Sequence, residues 1–136
     1  MSKIIRVNMT DKVLKYEDTP EKYAPLGGRA LTSQLVLDEV PAGCDPLRED
    51  NKIVIAPGLL SGTSAPSSGR LSVGGKSPLT GGIKEANAGG ITSQKLASLG
   101  IKAVVLEGMP QGSDWHGIKI TKDGAELFSA NDLAGK

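Results

Sequence analysis

The chain has 136 residues, 18 of them Gly and 8 Pro, about 19% where average usage of the two would give roughly 12%. That excess falls short of a collagen or low-complexity composition, and with 38% hydrophobic and 23% charged residues the chain can bury a core as one domain or a large piece of one. A long coiled coil is excluded. Lys and Arg number 16 against 15 Asp and Glu, a formal charge of +1, so bulk electrostatics gives no reason to expect nucleic acid or a membrane surface as partner.

In chain order, Ile4–Asn8 and Lys12–Tyr16 are β-prone runs around Thr10–Asp11 and read as an amino-terminal hairpin. Glu17–Pro25 is loop or a single helical turn. From Arg29 to Val40 the residues Ala30, Leu31, Leu35, Val36 and Val40 recur at helical spacing, with Gly27–Gly28 before them and Pro41 as a stop. Lys52–Ala56 is a short buried strand ending at Pro57–Gly58, and Arg70–Gly74 alternates as another. Leu59–Gly69 and Gly75–Gly90 lack periodicity, and aperiodic loops of that length in a compact domain are usually functional. Ile91–Leu99 reads as a second helix, with Thr92 or Ser93 as cap and Gly100 at its carboxy-terminal end. Lys102–Glu107 is a buried strand. Ile118–Thr121 and Glu126–Phe128 flank Asp123–Gly124, a two-residue hairpin signal. Asn131–Lys136 has the residues of a capped helix start, and the chain reads as truncated there.

Half of the glycines (58, 62, 69, 74, 75, 81, 82, 89 and 90) fall between positions 58 and 90, where no carboxylate occurs from Asp50 until Glu85. Lys52, Arg70, Lys76 and Lys84 lie inside or beside that gap, so the segment is locally cationic. Glycines allow close backbone approach to a ligand, and clustered N–H groups and helix amino termini favour anions, phosphate above all. The competing explanation is a set of tight turns. GTSAPSSGR has neither the ending of a P-loop nor the spacing of a dinucleotide fold.

Individual residues give several candidates. Arg70 opens a strand and can make bidentate contact with phosphate or carboxylate, or stand exposed at a strand end. Lys76 reads as a solvated loop ammonium. Asn87, in NAGG at a loop-to-helix junction, can donate to an anion or offer a carbonyl to a hard cation such as magnesium, or be an ordinary turn Asn. His116 has no second His or Cys at ligand spacing. Cys44, the one cysteine, has no activating partner and can form no internal disulfide, nor hold zinc or an iron–sulfur cluster alone. Ser61, Ser64, Ser67 and Ser68 lack a nucleophile elbow. No apolar run approaches the roughly 20 residues of a membrane span, and MSKIIRVNM lacks a signal peptide's length and cleavage site, so a cytoplasmic setting without membrane contact is expected.

Five blocks carry a resemblance: IIRVNM at 4–9, GGRALTSQLVLDEVPAGCDPL at 27–47, NKIVIAPGLLSGTSAPSSGRLSV at 51–73, KSPLTGGIKEANAGG at 76–90 and KLASLGIKAVVLEG at 95–108. In this order, and with TSAP, GR, KSPLTG and NAGG together, the chain resembles the amino-terminal domain of the tungsten-containing aldehyde ferredoxin oxidoreductase family. Leu71 stands where the family commonly has an aromatic, and GLLSGT at 58–63 where many members have GPLTGT.

The resemblance implies an α+β fold over residues 1–136, a β-sheet-rich cofactor base with two main helices, as half of a pseudo-twofold two-sheet architecture. It also implies a tungsten or molybdenum bis-pterin cofactor with a bridging magnesium ion. Arg70 matches the arginine that contacts cofactor phosphate, and Asn87 the asparagine whose carbonyl reaches the magnesium. Ala88 and Gly89 match the adjoining cofactor-contacting backbone. No catalytic residue is assigned. The family oxidises aldehydes to carboxylic acids and passes electrons through a 4Fe-4S cluster, which this chain cannot hold alone, to ferredoxin. The expected partners are the rest of the enzyme, ferredoxin and a second copy of the chain in place of the missing half, and the isolated chain is expected to be inactive. Two alternatives stand beside this reading: a non-catalytic module for a phosphorylated ligand, and a subunit of a split oxidoreductase.

Overall fold

The computed structural model describes residues 2–136. Its centre is a six-stranded mixed sheet in the order β2-β1-β6-β3-β4-β5. The strands are β1 (Lys3–Asn8), β2 (Val13–Asp18), β3 (Ile53–Pro57), β4 (Arg70–Lys76), β5 (Ile83–Gly89) and β6 (Ile101–Glu107). Among the described residues only β1 and β6 pair in parallel. A separate hairpin joins β7 (His116–Thr121) to β8 (Gly124–Ser129) through a two-residue turn at Lys122–Asp123, one residue before the expected Asp123–Gly124, because Gly124 already pairs with Thr121.

Alternation along β1 sends Ile4 to one face and Ile5 and Val7 to the other, and each face has its own core. Helix α1 (Gly28–Glu39) covers the first face with Leu31, Leu35 and Val36, packed on Ile4, Val54, Ala56, Ala103 and Val105. The second face carries α2 (Thr92–Ser98) through Leu96, and the β7–β8 hairpin through Ile118, Ile120, Ala125 and Leu127. Leu31 is fully buried, and burial of a leucine side chain stabilises a fold by about 1.5–3 kcal/mol.

Most of the expected elements are present with boundaries moved by one or two residues. Helix α1 ends at Glu39 because Pro41 holds Val40 in extended backbone, φ −107°. Ala30, expected on the apolar face, is exposed, and Thr32, not expected there, is buried in the core. Glu17–Pro25 holds the end of β2 and a 3-10 turn at Glu21–Tyr23. Helix α2 starts after Ile91 without a side-chain cap, so neither Thr92 nor Ser93 serves as one. Asn131–Leu133 makes a single 3-10 turn.

The main difference is β5. Ile83–Gly89, expected within an aperiodic loop, is a seven-residue strand paired in unbroken register from Arg70↔Gly89 to Lys76↔Ile83. It is an edge strand with little cover on either face, so it needs no apolar alternation to be stable.

Candidate functional site

The β4–β5 ladder brings the sequence candidates together. Arg70 stands opposite Gly89, Leu71 opposite Ala88 and Ser72 opposite Asn87. Alternation places Arg70, Ser72, Glu85, Asn87 and Gly89 on the face that carries α1. Arg70 is exposed, and no carboxylate among the described residues pairs with it. A Cβ built on Gly89 would lie 3.9 Å from Arg70 Nη1, so the guanidinium extends across the ladder over the glycine.

Asn87 lies inside a strand, not at a loop-to-helix junction. Its Nδ2 donates to Ser72 Oγ at 2.8 Å and to Glu85 Oε1 at 2.9 Å. Its main chain is also committed in one direction. The backbone bonds from Gly90 N to Gly69 O and from Ser77 N to Gly82 O fix which residues of this antiparallel pair bond to β4. By alternation, residues 83, 85, 87 and 89 turn their N–H and C=O groups outward at the free sheet edge. Gly90 follows with φ +126° and nothing near a Cβ position, a conformation that suits glycine.

The amino terminus of α1 closes the site from above. Gly27 fits because a Cβ there would meet Leu59 N at 2.5 Å, and Gly28, at φ +52°, lies over Ser72 Oγ. The first turn contains no acidic residue and Gly27 makes no side-chain cap. Arg29 in that turn opposes the helix dipole, and its Nε donates to Glu85 Oε2 at 2.9 Å. Hydrogen bonds from Asn87, then Ser72, then Arg29 hold the Glu85 carboxyl below the usual carboxylate range. Glu85, Arg29 and Ser72 are not among the candidates that the sequence singles out. Glu85 carried one signal there, its two-residue spacing from Asn87, which shares a face only if the segment is a strand.

Tertiary contacts also reassign much of the cationic, glycine-rich segment. Lys52 Nζ is bound by Glu39 at 2.8 Å and Glu107 at 3.0 Å, and Arg6 shares Glu39 at 2.6 Å. Burial opposes ionisation of Glu39, yet hydrogen bonds from Arg6 and Lys52 keep its pKa below the ordinary value. Lys76 is no solvated ammonium, since its Nζ donates to the carbonyls of Ala42 and Cys44 at 2.5 and 2.6 Å. Several glycines pack against protein: Gly62 on Ala97, Gly69 on Gly90, Gly74 on Thr32 and Gly75 on Lys52. Ser61 is 5% exposed and donates to Ser68 O, which makes it a loop tie. The Arg70 guanidinium and the Asn87–Gly90 edge stay open to a ligand on the α1 side, while exposed Lys84 lies on the opposite face of β5.

No group of three or more His, Cys, Asp and Glu among the described residues is placed to hold a metal ion. His116 opens β7 opposite Ser129, far in sequence from the site, and Cys44 is a free thiol. No helix among the described residues is long and apolar enough to cross a membrane.

Comparison with known proteins gives a consistent answer. Residues 4–136 match the family model described as the aldehyde ferredoxin oxidoreductase N-terminal domain. The chain is 40% identical over 136 residues to the tungsten-containing aldehyde ferredoxin oxidoreductases of Thermococcus kodakarensis and Pyrococcus furiosus. In each case 98% of this chain matches 22% of the relative, so the chain spans about a fifth of their length. Among solved structures, the active-site complex BamBC of benzoyl coenzyme A reductase with 1,5-dienoyl-CoA contains a chain similar at a TM-score of 0.91 and 26% identity, over 99% of this chain and 21% of that one. With its α+β architecture and a family match over nearly its whole length, the chain belongs to the aldehyde ferredoxin oxidoreductase N-terminal domain family.

Proposed function

We propose that this chain is the amino-terminal part of a tungsten or molybdenum bis-pterin oxidoreductase that oxidises aldehydes to carboxylic acids with ferredoxin as electron acceptor. Its own task is to cradle the cofactor's phosphates and bridging magnesium. The observation that carries this reading is Arg70, an exposed guanidinium without a carboxylate partner, laid over Gly89 beside the free Asn87 edge.

The residues present fit such a group. Arg70 supplies donors for phosphate. Asn87 retains its Oδ1 and an outward main-chain carbonyl for a hard cation. Magnesium usually takes only one or two protein oxygens and completes its shell with waters and phosphates, so the lack of a carboxylate cluster is compatible with it. Gly89 adds outward backbone with no side chain in the way, whereas Ala88 turns its own N–H and C=O toward β4 and adds only a small exposed side chain. When bound, the metal and its pterins supply the two-electron chemistry, and the chain supplies placement and electrostatics. The 4Fe-4S cluster and the route to ferredoxin belong to further parts of the enzyme, so the isolated chain is expected to be inactive.

A second copy is proposed as a further partner. On the face opposite α1, Ile55, Val73 and Ala86 form one row across β3, β4 and β5. Cover falls along the row, from partly buried Ile55 to Val73 at 37% exposure and exposed Ala86. A second sheet stacked there would cover them. The cofactor reading is tested by producing the chain in cells that make the tungsten or molybdenum pterin. Co-purifying metal and fluorescent oxidised pterin in matched amounts support it; a chain free of both, from cells with ample cofactor, overturns it.

A further inference from the structure

The carboxy-terminal segment, residues 110–136, is attached to the rest of the protein by apolar side chains alone. Among the described residues, every hydrogen bond and ion pair it makes stays within the segment. Internally it is well tied. Six cross-strand pairs join β7 to β8, Lys119 Nζ meets Glu126 Oε1 at 3.1 Å, and Trp115 N donates to Asn131 Oδ1 at 2.8 Å. On the outer face the Phe128 ring fills the space a side chain at Gly117 would take. The last polar tie to the body comes just before the segment, where Met109 N donates to Thr10 Oγ1 at 3.1 Å.

The seam itself is shallow. Ile118, Ile120, Ala125 and Leu127 pack on the second-face cluster, yet no whole residue after Val105 is buried. At the hairpin's turn an open cleft of about 450 Å³ separates Thr121–Gly124 from Tyr16, Ser98 and Leu99. His116 shares the inner face with Ile118 by alternation, and its Nδ1 is buried without a hydrogen-bond partner. Closure therefore takes a polar atom from water with nothing in return. Between body and hairpin, Met109–Trp115 are all exposed, and Gly112 sits at φ +91° with nothing near a Cβ position.

We infer that residues 110–136 form a displaceable flap: the β7–β8 hairpin leaves the second face of the sheet as one body, pivoting on Pro110–Asp114, while the six-stranded sheet and both helices stay folded. Register defines what it uncovers. Ile5, Val104, Ile55, Val73 and Ala86 lie in one row across β1, β6, β3, β4 and β5. The closed flap shelters the β1 end of that row, since β8 lies against β2. Open, it leaves one apolar strip crossing the sheet, so the flap sets how much of this face another sheet can reach. That consequence rests on the reading of Val73 and Ala86 as a stacking surface, whereas the opening itself does not.

Native-state hydrogen exchange of the full 136-residue chain, followed by NMR in low urea, tests the opening. A two-stranded hairpin away from its support is marginal in water, so undocking should release the β7–β8 ladder amides together. They should share one opening equilibrium, at least about a hundredfold more populated than that of β1 and β6. Ile118→Ala, on the inner face, should raise hairpin opening about tenfold and leave β1 and β6 within a factor of about two. Lys119→Ala, its outer-face neighbour, should change hairpin opening by no more than about twofold, because an exposed ion pair contributes little. Val73→Lys should leave hairpin exchange as in the wild type, which marks the flap as a property of the single chain.

Hairpin amides that exchange only with global unfolding, in step with β1 and β6, overturn the flap. Opening equilibria graded from the turn toward the strand ends also overturn it, since they describe fraying within a fixed hairpin. So does an Ile118→Ala variant whose β1 and β6 amides lose protection together with the hairpin. A chain that never self-associates removes the stacking surface and leaves the flap standing.

Discussion

Arg70 and Gly89 face each other across the β4–β5 ladder, and the guanidinium occupies the space that a side chain at residue 89 would claim. A Cβ there would make ordinary contact with Nη1 at 3.9 Å, so Gly89→Ala should leave pyrophosphate binding near wild type. Gly89→Val places two further methyls against the guanidinium in a residue that strands accept readily. We expect it to fold normally by circular dichroism and to bind about tenfold more weakly, the equivalent of about 1.4 kcal/mol.

Gly74 has a different reason to be glycine. A Cβ at that position would stand 2.9 Å from Thr32 Cβ and 3.0 Å from its Oγ1, and Thr32 is fully buried. Gly74→Ala should force α1 away from β4 and destabilise the fold by about 1–3 kcal/mol, the usual range for overpacking. Gly82→Ala is the control, since its nearest contact would be 3.8 Å and a surface change of that kind costs within about 0.5 kcal/mol. Urea unfolding of the two variants checks the difference.

Stability should respond to acid through Asp38. Its carboxylate accepts from Lys22, Tyr23 and Gln34, and these bonds lower its pKa from 3.8 to about 2. The folded state therefore binds this proton less readily than the unfolded one. The stabilisation is complete above pH 3.8 and disappears as pH falls through about 2. Urea midpoints should drop across that window in the wild type. Asp38→Asn should lose stability at neutral pH and show a smaller drop on acidification.

Much of this architecture is legible in the sequence because burial leaves a pattern. Leu31, Leu35 and Val36 mark the covered stripe of α1, and Lys102–Glu107 marks a strand packed on both faces. β5 left no such mark. In IKEANAG the residues are largely exposed, and the strand forms through its ladder to β4, so no alternation was required. For the same reason Arg70 and Asn87 are readable as chemistry, whereas their neighbours Ser72, Glu85 and Arg29 emerge only when three distant segments meet. The local charge balance misled as well. The carboxylates that neutralise Lys52 come from α1 and β6, far away in sequence. The glycine cluster likewise holds two populations: Gly62, Gly69, Gly74 and Gly75 allow close packing within the protein, while Gly89 and Gly90 face open space or the guanidinium.

The uncovered row formed by Val73 and Ala86 predicts self-association. Light scattering across a concentration series should show a monomer–dimer equilibrium. Val73→Lys, on the same face, should shift it toward monomer by placing like charges together in the proposed interface. A strictly monomeric wild type at every concentration would remove the second copy from the scheme.

The cradle itself is tested most directly by calorimetric titration of the chain with magnesium and inorganic pyrophosphate, comparing wild type with Arg70→Ala at matched urea midpoints. A site centred on the unpaired guanidinium predicts measurable wild-type binding that weakens by about tenfold or more in the variant, in line with loss of a charge-assisted bidentate contact. Affinity that is unchanged without the guanidinium would contradict it.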